Sequence, residues 1–327
     1  MEAENPRYPK SASRFAVVNM VMVFLAEPNT CGSLRRLYSA TTSCSTTKGR
    51  TYFDAAHVGT AMATCGAKSE VLDEKDDPGA APYGNFINYY TFNPPENRLS
   101  LIPTTLIQDL GYGKDSSETI LMLDVGCNSG DLTVALYRHL QPRVLSEDST
   151  TPPDSDLQLL GFDLDETLIL RAQQTNPFPQ NISFIPLDIT EDAASQTQLQ
   201  DYLRQHGGFR FHLSLCLAVT MWVHLNHGDA ALLGLLSRLA SVSQHLLLEA
   251  QPWKCYRSAA RRLRKLGRSD FDHFKELKIR GDVAEQASEH LEKHCGMALM
   301  QCFGSTSWDR RLLLFRRRET IDLHLSQ

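Results

Sequence analysis

Short apolar runs alternate with longer amphipathic stretches from about residue 118 onward. This pattern is expected when helices cover both faces of a mostly parallel sheet. Six strands are predicted, at residues 120–125, 157–162, 182–187, 211–217, 245–248 and 312–315. Helices are predicted at residues 131–140, 166–174, 192–205, 229–241, 256–266 and 282–294. The pattern therefore predicts one α/β domain over about residues 118–320.

Two less regular segments precede and interrupt this domain. Residues 78–95 (PGAAPYGNFINYYTFNPP) mix glycine, proline and aromatic residues, so no regular helix is predicted there. Within a segment of residues 76–117, they are expected to form either a strap packed on the core or a lid over a site. Residues 142–156 (PRVLSEDSTTPPDSD) are polar and contain proline, which predicts a mobile loop.

Residues 1–75 lack clear periodicity and are rich in serine, threonine and small residues, which is typical of a poorly ordered or atypical leader. Within it, the apolar run 15–26 (FAVVNMVMVFLA) follows Arg7, Lys10 and Arg14 and resembles the start of a signal peptide. This run is too short to span a bilayer, and no other segment reaches the roughly 18 apolar residues that a membrane helix needs. Both interpretations of the leader stay open, and no membrane partner is predicted.

Composition narrows the classes of function. The 327 residues are 42% hydrophobic, which is enough for one large α/β core. The net charge of -5 argues against a protein that coats nucleic acid indiscriminately, so any RNA contact must be local. The eight cysteines show neither a CxxC pair nor the spacing from a CxxC pair to histidines that a zinc site needs. No metal site is predicted, and a reducing compartment is expected.

A glycine-flanked turn is the clearest local motif. In LDVGCNSGDL (residues 123–132), an apolar strand runs into Gly126, Asn128 and Gly130 and then into a helix. Small residues there let the backbone approach a ligand closely. Asp163 and Asp188 directly follow the second and third predicted strands, at the sheet edge where open α/β folds bind ligands. One carboxylate suits a ribose diol and the other an exocyclic adenine amine.

Other interpretations of these residues stay open. The turn is also compatible with an ordinary strand-to-helix connection, and both acids with helix N-caps. A dehydrogenase would show GxGxxG with an acid about 20 residues further on. Here Gly126 and Gly130 are spaced GxxxG, and Asp163 follows a long insertion. The spacing weakens the dehydrogenase hypothesis without excluding it.

A basic helix follows the fifth predicted strand. Seven basic residues occur without an intervening acid: Lys254, Arg257, Arg261, Arg262, Arg264, Lys265 and Arg268. Most recur at intervals of three or four, so they share a helix face along which a phosphate backbone can lie. The alternative is a solvated basic face without a partner.

Two histidines and two tryptophans flank this region. His224 and His227 have the spacing of metal ligands, but no third ligand has suitable spacing, so structural or substrate-lining roles are predicted. Trp222 and Trp253 are candidates for stacking on an RNA base or for core packing.

Four strings carry a family resemblance: YGNFINYY at residues 83–90, LDVGCNSGDL, VTMWVHLNHGD at 219–229 and QPWKCYRSAARRLRKL at 251–266. They resemble the bicoid-interacting-protein-type RNA methyltransferases, over about residues 79–320. The resemblance implies a Rossmann-like, seven-stranded class I S-adenosylmethionine-dependent methyltransferase fold, a three-layer α/β/α sandwich with a final antiparallel strand. It also implies S-adenosyl-L-methionine as cofactor and a small structured RNA with a 5′-monophosphate as partner, such as a histidine tRNA or a microRNA precursor. A cytoplasmic monomer is expected.

The resemblance also implies site residues. Cofactor contacts are expected at Arg98, Asp124, Gly126, Asn128, Gly130, Asp163, Asp188, Ile189 and Leu217. Because the acceptor phosphate needs positive charge around it, Lys254 and Arg257 are predicted to act with Tyr89 as catalytic residues. RNA contacts are predicted at Arg261, Arg262, Arg264 and Lys265. Two departures stand out: Asn93 replaces an arginine of the related small-nuclear-RNA-capping branch, and Ala250 replaces a proline in the family's Glu-Pro-Gln-Pro-Trp string.

The expected chemistry explains an absence in the sequence. Methyl transfer to a phosphate oxygen is a direct displacement, so alignment and exclusion of water dominate. A terminal monophosphate, with a second pKa of about 6, is anionic near pH 7 and needs no general base. The lack of a recognisable catalytic triad or carboxylate pair fits this reaction. A small-molecule methyltransferase and an inactive RNA-binding module remain as alternatives.

Overall fold

The computed structural model describes residues 81–113, 119–141 and 156–319. The predicted leader, the first and last residues of the predicted strap (76–80 and 114–117) and all but the last residue of the 142–156 insertion lie outside this range. No helix in the described ranges combines the length and apolar character that a bilayer crossing requires.

Seven strands form one sheet in the order β3-β2-β1-β4-β5-β7-β6. The first five in that order are parallel, and β7 runs antiparallel to both β5 and β6. This architecture confirms the predicted seven-stranded α/β fold with a final antiparallel strand. The strands are β1 (Thr119–Val125), β2 (Asp156–Asp163), β3 (Ile182–Pro186), β4 (Phe211–Leu217), β5 (Ser243–Glu249), β6 (Met297–Ser305) and β7 (Arg311–Arg317).

Helices cover both faces of the sheet. The described residues form α1 (Tyr89–Phe92), α2 (Glu96–Leu99), α3 (Leu106–Asp109), α4 (Asp131–Leu140), α5 (Glu166–Thr175), α6 (Asp192–Gln205), α7 (Thr220–Val242), α8 (Trp253–Lys265) and α9 (Val283–His294). One apolar core joins the sheet to α6, α7, α8 and α9. A second joins the opposite face to α3, α4 and α5, which completes the three-layer sandwich.

Local sequence explains where the helices next to the site begin. Gly130 takes a left-handed conformation, with φ of 79°, immediately before α4. The α4 residues Leu132, Leu136 and Leu140 recur every four positions and are buried against the sheet. Asp165 caps α5, because its side chain accepts hydrogen bonds from the first backbone N–H groups of that helix.

Two elements differ from the predictions. Strand β6 was not predicted among the six strands, because it is an irregular edge strand with only Met297 buried and two shifts of register against β7. Helix α7 begins at Thr220, nine residues before the predicted start at residue 229. Gly228 interrupts the helix with φ of 80° and ψ of -177°, which explains why residues 220–228 lack a continuous helical pattern.

The aromatic segment before the domain contains more helix than was predicted. The single turn α1 lies within residues 78–95, and α2 follows directly after Pro95. Proline at this position is compatible with a helix start, since its missing N–H is not needed there. The segment is otherwise irregular, as predicted.

Candidate functional site

A pocket lies at the carboxyl ends of the parallel strands, the edge at which open α/β sheets bind ligands. The strap, β1 and the turn after it, β2 and β4 all contribute to it. Of the residues predicted from the sequence, those that line it are Tyr89, Arg98, Asp124, Gly126, Asn128, Asp163, Asp188, Ile189 and Leu217. The sheet therefore brings together side chains that are far apart in the sequence.

Gly126, in the turn after β1, occupies a position that only glycine fits. Its φ is 70°, and a Cβ at this position would lie 2.6 Å from Cγ2 of Val219. Both the conformation and the close approach require glycine. Asn128 follows with φ of 52°, and its backbone N–H donates to Oδ2 of Asp163 over 3.0 Å. The turn and the end of β2 are thus joined directly.

Gly130 has a different environment from the other turn residues. It is not among the residues that line the pocket. A Cβ on Gly130 would lie 2.7 Å from Cζ of Phe184 and 3.0 Å from Cβ of Ala172. Glycine is therefore required at position 130 by packing, because the start of α4 lies in close contact with β3 and α5.

The two strand-end acids are not helix caps. Asp163 accepts from the backbone N–H of Asn128 and of Asp165, whereas Asp165 itself caps α5. Burial raises the pKa of Asp163, and these backbone hydrogen bonds lower it in part. Asp188 accepts from the backbone N–H and the hydroxyl of Thr190 through one oxygen, Oδ1. Both acids line the pocket, and these hydrogen bonds from neighbouring residues hold their carboxylates in place.

Asp124 is a buried acid in the wall of the pocket. Burial raises its pKa to about 6, although a hydrogen bond from Thr133 and the nearby charge of Arg98 lower it. Thr133 Oγ1 donates to Asp124 Oδ2 over 2.6 Å. The carboxyl group therefore changes charge near pH 6.

Arg98 is a fully buried cation in the wall of the pocket. Its Nε and Nη2 donate to the carboxylate of Glu249, and Nη2 also donates to the Tyr89 hydroxyl over 2.9 Å. Burial lowers the pKa of Arg98, but Tyr89 and Glu249 outweigh that effect, so its pKa is raised overall. Its Nη1 is buried and has no hydrogen-bond partner among the described residues.

The strap is tied to the rim of the pocket. Asn128 and Asn226 donate side-chain hydrogen bonds to the backbone carbonyls of Phe86 and Pro82, over 3.1 and 3.0 Å. Gly84 lies directly on Trp222, where a Cβ would come within 2.2 Å of the indole Nε1. The described part of the predicted strap or lid is therefore packed on the core and also lines the site.

A second surface lies outside this pocket. The basic groove consists of five cationic side chains on α8 and the segment after it, together with two aromatic rings: Arg257, Arg261, Arg264, Lys275, Arg280, Trp253 and Phe274. The α8 arginines of this groove are exposed. Arg262 and Lys265 lie on α8 outside the groove lining, and Lys254 pairs with Asp309 over 3.1 Å. Neither Lys254 nor Arg257 lines the pocket.

The histidines and tryptophans divide between packing and lining. His224 is buried, with Nε2 2.7 Å from Asp229 Oδ1 and Nδ1 3.0 Å from the Tyr256 hydroxyl, so its role is structural. His227 is exposed and lines the pocket, as does Trp222. Trp253 stacks on Phe274 with an interplanar angle of 2° and a centroid distance of 5.6 Å. No group of three or more metal-ligating side chains occurs within the described ranges.

Sequence reasoning missed three residues next to the pocket. Glu249 is fully buried and bonded to both Arg98 and Arg310. Trp308 lies against both guanidinium groups. Glu249 ends β5 as Asp163 ends β2, so the argument from strand-end acids also applies to it. Nothing in the sequence signals Arg310 or Trp308, because they belong to the turn after the unpredicted strand β6.

The residues of the pocket fit S-adenosylmethionine. Asp163 and Asp188 offer carboxylates for a ribose diol and an exocyclic amine. The partnerless Nη1 of Arg98 suits a carboxylate, and the bare backbone at Gly126 gives room for close approach. Fold and pocket together define a class I S-adenosylmethionine-dependent methyltransferase.

Comparisons with known proteins narrow this class. The family model described as Bicoid-interacting protein 3 matches residues 211–317. The pre-miRNA 5′-monophosphate methyltransferase of Danio rerio is 71% identical over 248 residues, which cover 75% of this chain and 96% of that protein. The RNA 5′-monophosphate methyltransferase of Homo sapiens is 49% identical over 249 residues, 76% of this chain and 84% of that protein. The chain belongs to the Bicoid-interacting protein 3 family.

Among solved structures, the N-methyltransferase NodS from Bradyrhizobium japonicum WM9 is similar to this chain. The superposition covers 69% of this chain and 89% of the NodS chain, with 18% sequence identity and a TM-score of 0.39.

Proposed function

We propose that this protein transfers a methyl group from S-adenosylmethionine to the 5′-terminal monophosphate of a small RNA. The observation that carries the proposal is a pocket suited to the cofactor in a chain that is 71% identical to a protein named for pre-miRNA 5′-monophosphate methylation. The relatives' names favour RNA over a small-molecule acceptor. An inactive RNA-binding module could lose Asp124, Gly126 or Asp163 without penalty. All three line the pocket, which favours an enzyme.

The proposed cofactor contacts follow the pocket. Asp163 would bind the ribose diol, Asp188 and Ile189 the adenine, and Arg98 the carboxylate of the amino-acid part. Asn128 and Leu217 complete the proposed lining. Bound there, S-adenosylmethionine supplies an electrophilic methyl group on a sulfonium. The protein's own residues fix its position, and the strap shields the site from water.

The acceptor phosphate is proposed to approach beside Tyr89. The Tyr89 hydroxyl accepts a hydrogen bond from Arg98, which holds the phenol ring at the pocket. The phosphate is already anionic, so its oxygen needs no proton removed. Asn93 donates to the Tyr89 carbonyl over 3.2 Å and so contributes to the backbone of α1. Alignment of the phosphate oxygen with the methyl group is the main task of these residues.

The body of the RNA is proposed to bind along α8. Arg257, Arg261 and Arg264 line the basic groove and are spaced for contacts to successive phosphates. Lys254 and Arg257 lie outside the pocket, so we propose that they contact the RNA and leave the reacting phosphate to Tyr89. Arg262 and Lys265 would extend the same surface.

The finer assignments are also proposals. Precursors of microRNA and histidine tRNA are the proposed RNA substrates, the first supported by the name of the Danio rerio relative. The protein is proposed to act as a monomer in the cytoplasm. Residues 1–75 are proposed as a leader, 76–117 as the strap and 118–320 as the catalytic domain.

A labelling experiment tests the proposed function. The purified full chain is incubated with radiolabelled S-adenosylmethionine and one small RNA that carries either a 5′-monophosphate or a 5′-hydroxyl. We expect label only on the monophosphate RNA, in a form released by removal of the terminal phosphate. Equal labelling of the two RNAs would rule out the phosphate as acceptor.

A further inference from the structure

The tip of the β6–β7 hairpin reaches the wall of the pocket. A tight turn forms this tip, in which the backbone N–H of Asp309 donates to the carbonyl of Thr306 over 2.9 Å. The turn presents Trp308 and Arg310 toward Glu249 at the end of β5. Nη1 of Arg310 donates to Oε1 of Glu249 over 3.2 Å. A hairpin remote in sequence from the cofactor turn thus takes part in the same buried cluster.

Both arginines of the cluster are held by one aromatic ring. The Cζ atoms of Arg98 and Arg310 lie 5.3 and 5.5 Å from the ring centre of Trp308. Such contacts stabilise guanidinium groups that have lost their water. Glu249 is their shared carboxylate, and its side chain is completely buried, whereas that of Arg310 is 13% exposed. The ring and the carboxylate together fix both guanidinium planes.

The charge of the cluster gives Arg310 a role beyond packing. A buried Arg98–Glu249 pair by itself is neutral and attracts an anion weakly. Arg310 adds a second positive charge to the same carboxylate, so the three side chains carry a net charge of about +1. Burial lowers the pKa of Arg310, but Glu249, Tyr89 and Cys255 together outweigh that effect, so its pKa is raised and it stays protonated. Arg98 is therefore not neutralised by its partner.

We propose that Arg310 is a positioning residue of the cofactor site, which acts through Glu249 and Trp308 on Arg98. It keeps Arg98 able to attract the carboxylate on the amino-acid part of S-adenosylmethionine, and Nη1 of Arg98 supplies the hydrogen bond. Asp124 lines the same pocket and suits the ammonium of that amino-acid part. The inference depends on the proposed cofactor placement and is independent of the RNA acceptor.

Equilibrium binding of two ligands tests this role. S-adenosylhomocysteine carries the carboxylate, whereas 5′-methylthioadenosine lacks the whole amino-acid part. In titration calorimetry on the full chain, we expect Arg310→Gln to weaken S-adenosylhomocysteine about tenfold and 5′-methylthioadenosine less than about twofold. Arg310→Lys should recover part of the loss, because it restores the charge without the planar fork.

The neighbouring arginine is a matched control. Arg311 pairs with Asp282 on the surface, over 2.9 Å, so Arg311→Gln removes the same charge one residue further along the chain. We expect it to change neither affinity by more than about twofold. If Arg310→Gln does not fold, Trp308→Leu provides a second test, with an expected loss of about threefold for S-adenosylhomocysteine alone.

Three outcomes would overturn the proposal. Equal weakening of both ligands would show a general structural role for Arg310. Unchanged binding of both would show that Arg98 does not depend on it. Unchanged S-adenosylhomocysteine binding with a raised KM for RNA would assign the cluster to the acceptor phosphate. Since the wild-type chain's discrimination between 5′-monophosphate and 5′-hydroxyl RNA is measured separately, failure of this inference differs from failure of the proposed function.

Discussion

The pocket and the basic groove both present arginines, but in opposite physical settings. In the pocket, Arg98 is fully buried, and a carboxylate, a phenol and an indole fix its position. In the groove, Arg257 and Arg261 are exposed, and no ion pair is found for either among the described residues. The first setting suits one ligand geometry, whereas the second suits a phosphate backbone of any sequence.

This difference explains how a protein with a net charge of -5 can have an RNA substrate. Seven basic residues without an intervening acid lie on and directly after α8, so positive charge is locally dense there. Exposed cations lose their effect as salt rises, because their interactions are screened over about 10 Å at 0.1 M. Buried groups are screened much less, but they respond to pH and to steric change. Changes in salt concentration, pH and side-chain volume should therefore affect ligand binding in the two regions differently.

The largest effect is expected from added volume in the pocket. Gly126→Ala places a Cβ 2.6 Å from Val219 and forces alanine into a φ of 70°. We expect S-adenosylhomocysteine affinity to fall by at least about 100-fold, because the turn must move away from the ligand. Titration calorimetry measures this loss.

Gly207→Ala is the matched control for that variant. Gly207 also has a positive φ, of 69°, but a Cβ there meets no atom within 4 Å. It should cost a similar amount of backbone strain while leaving cofactor affinity unchanged. Unaltered binding by Gly126→Ala would mean that the cofactor does not lie against this turn.

A smaller effect is expected from removal of charge in the groove. The double variant Arg257→Gln and Arg261→Gln should raise the KM for RNA by about 10- to 100-fold and leave S-adenosylhomocysteine affinity unchanged. The slope of log KM against log salt should fall by roughly 2, about one for each lost phosphate contact. Methylation rates measured over a salt series give both values.

Arg204→Gln, compared with the single variant Arg261→Gln, controls for net charge in that experiment. Arg204 is exposed on α6 and pairs only with its neighbour Asp201 in the described structure, over 2.7 Å. Its loss should leave the KM for RNA within about twofold. An equal effect of Arg204→Gln and Arg261→Gln, which each remove one charge, would show that overall charge, not the groove, governs RNA affinity.

The smallest effect is expected from pH. Because the pKa of Asp124 is about 6, its carboxylate is mostly charged at pH 7.5 and mostly neutral at pH 5. A neutral side chain loses its attraction for a ligand ammonium, so affinity should decline as pH falls through about 6, by roughly three- to tenfold. Calorimetry with S-adenosylhomocysteine alone avoids titration of the RNA phosphate.

Asp124→Asn identifies the group that titrates. This variant should bind more weakly at pH 7.5 and lose most of the pH dependence. His227 also lines the pocket and is still present in the variant. A pH dependence as steep in Asp124→Asn as in the wild type would therefore assign the titration to another group.

Sequence pattern was sufficient for the central part of the fold and for the position of the glycine-flanked turn after β1. The bounds of β4, α4 and α6 agree with the predictions, because a buried strand and amphipathic helices have clear periodicity. Residues that follow directly on such elements, including Asp163 and Asp188, can be placed at the sheet edge from the pattern alone. Local signals were enough for this half of the site.

The remaining contacts depend on three-dimensional packing. Arg98 and Glu249 are 151 positions apart, and no local pattern marks them as a pair. Trp308 and Arg310 lie beyond β6, whose exposed, irregular edge hides the strand period. The position of Lys254 beside Asp309, outside the pocket, likewise depends on where the hairpin turns. Contacts of this kind arise from the tertiary fold and leave no local signal in the sequence.

The attachment of the strap has an evolutionary consequence. The hydrogen bonds from Asn128, Asn226 and Arg171 all end on strap carbonyls, those of Phe86, Pro82 and Ile87. Every residue type has a carbonyl, so side chains at positions 82 and 87 can be replaced without loosening this attachment. Natural variation at these two positions is therefore expected to leave the strap anchored, because the donor side chains lie on other elements.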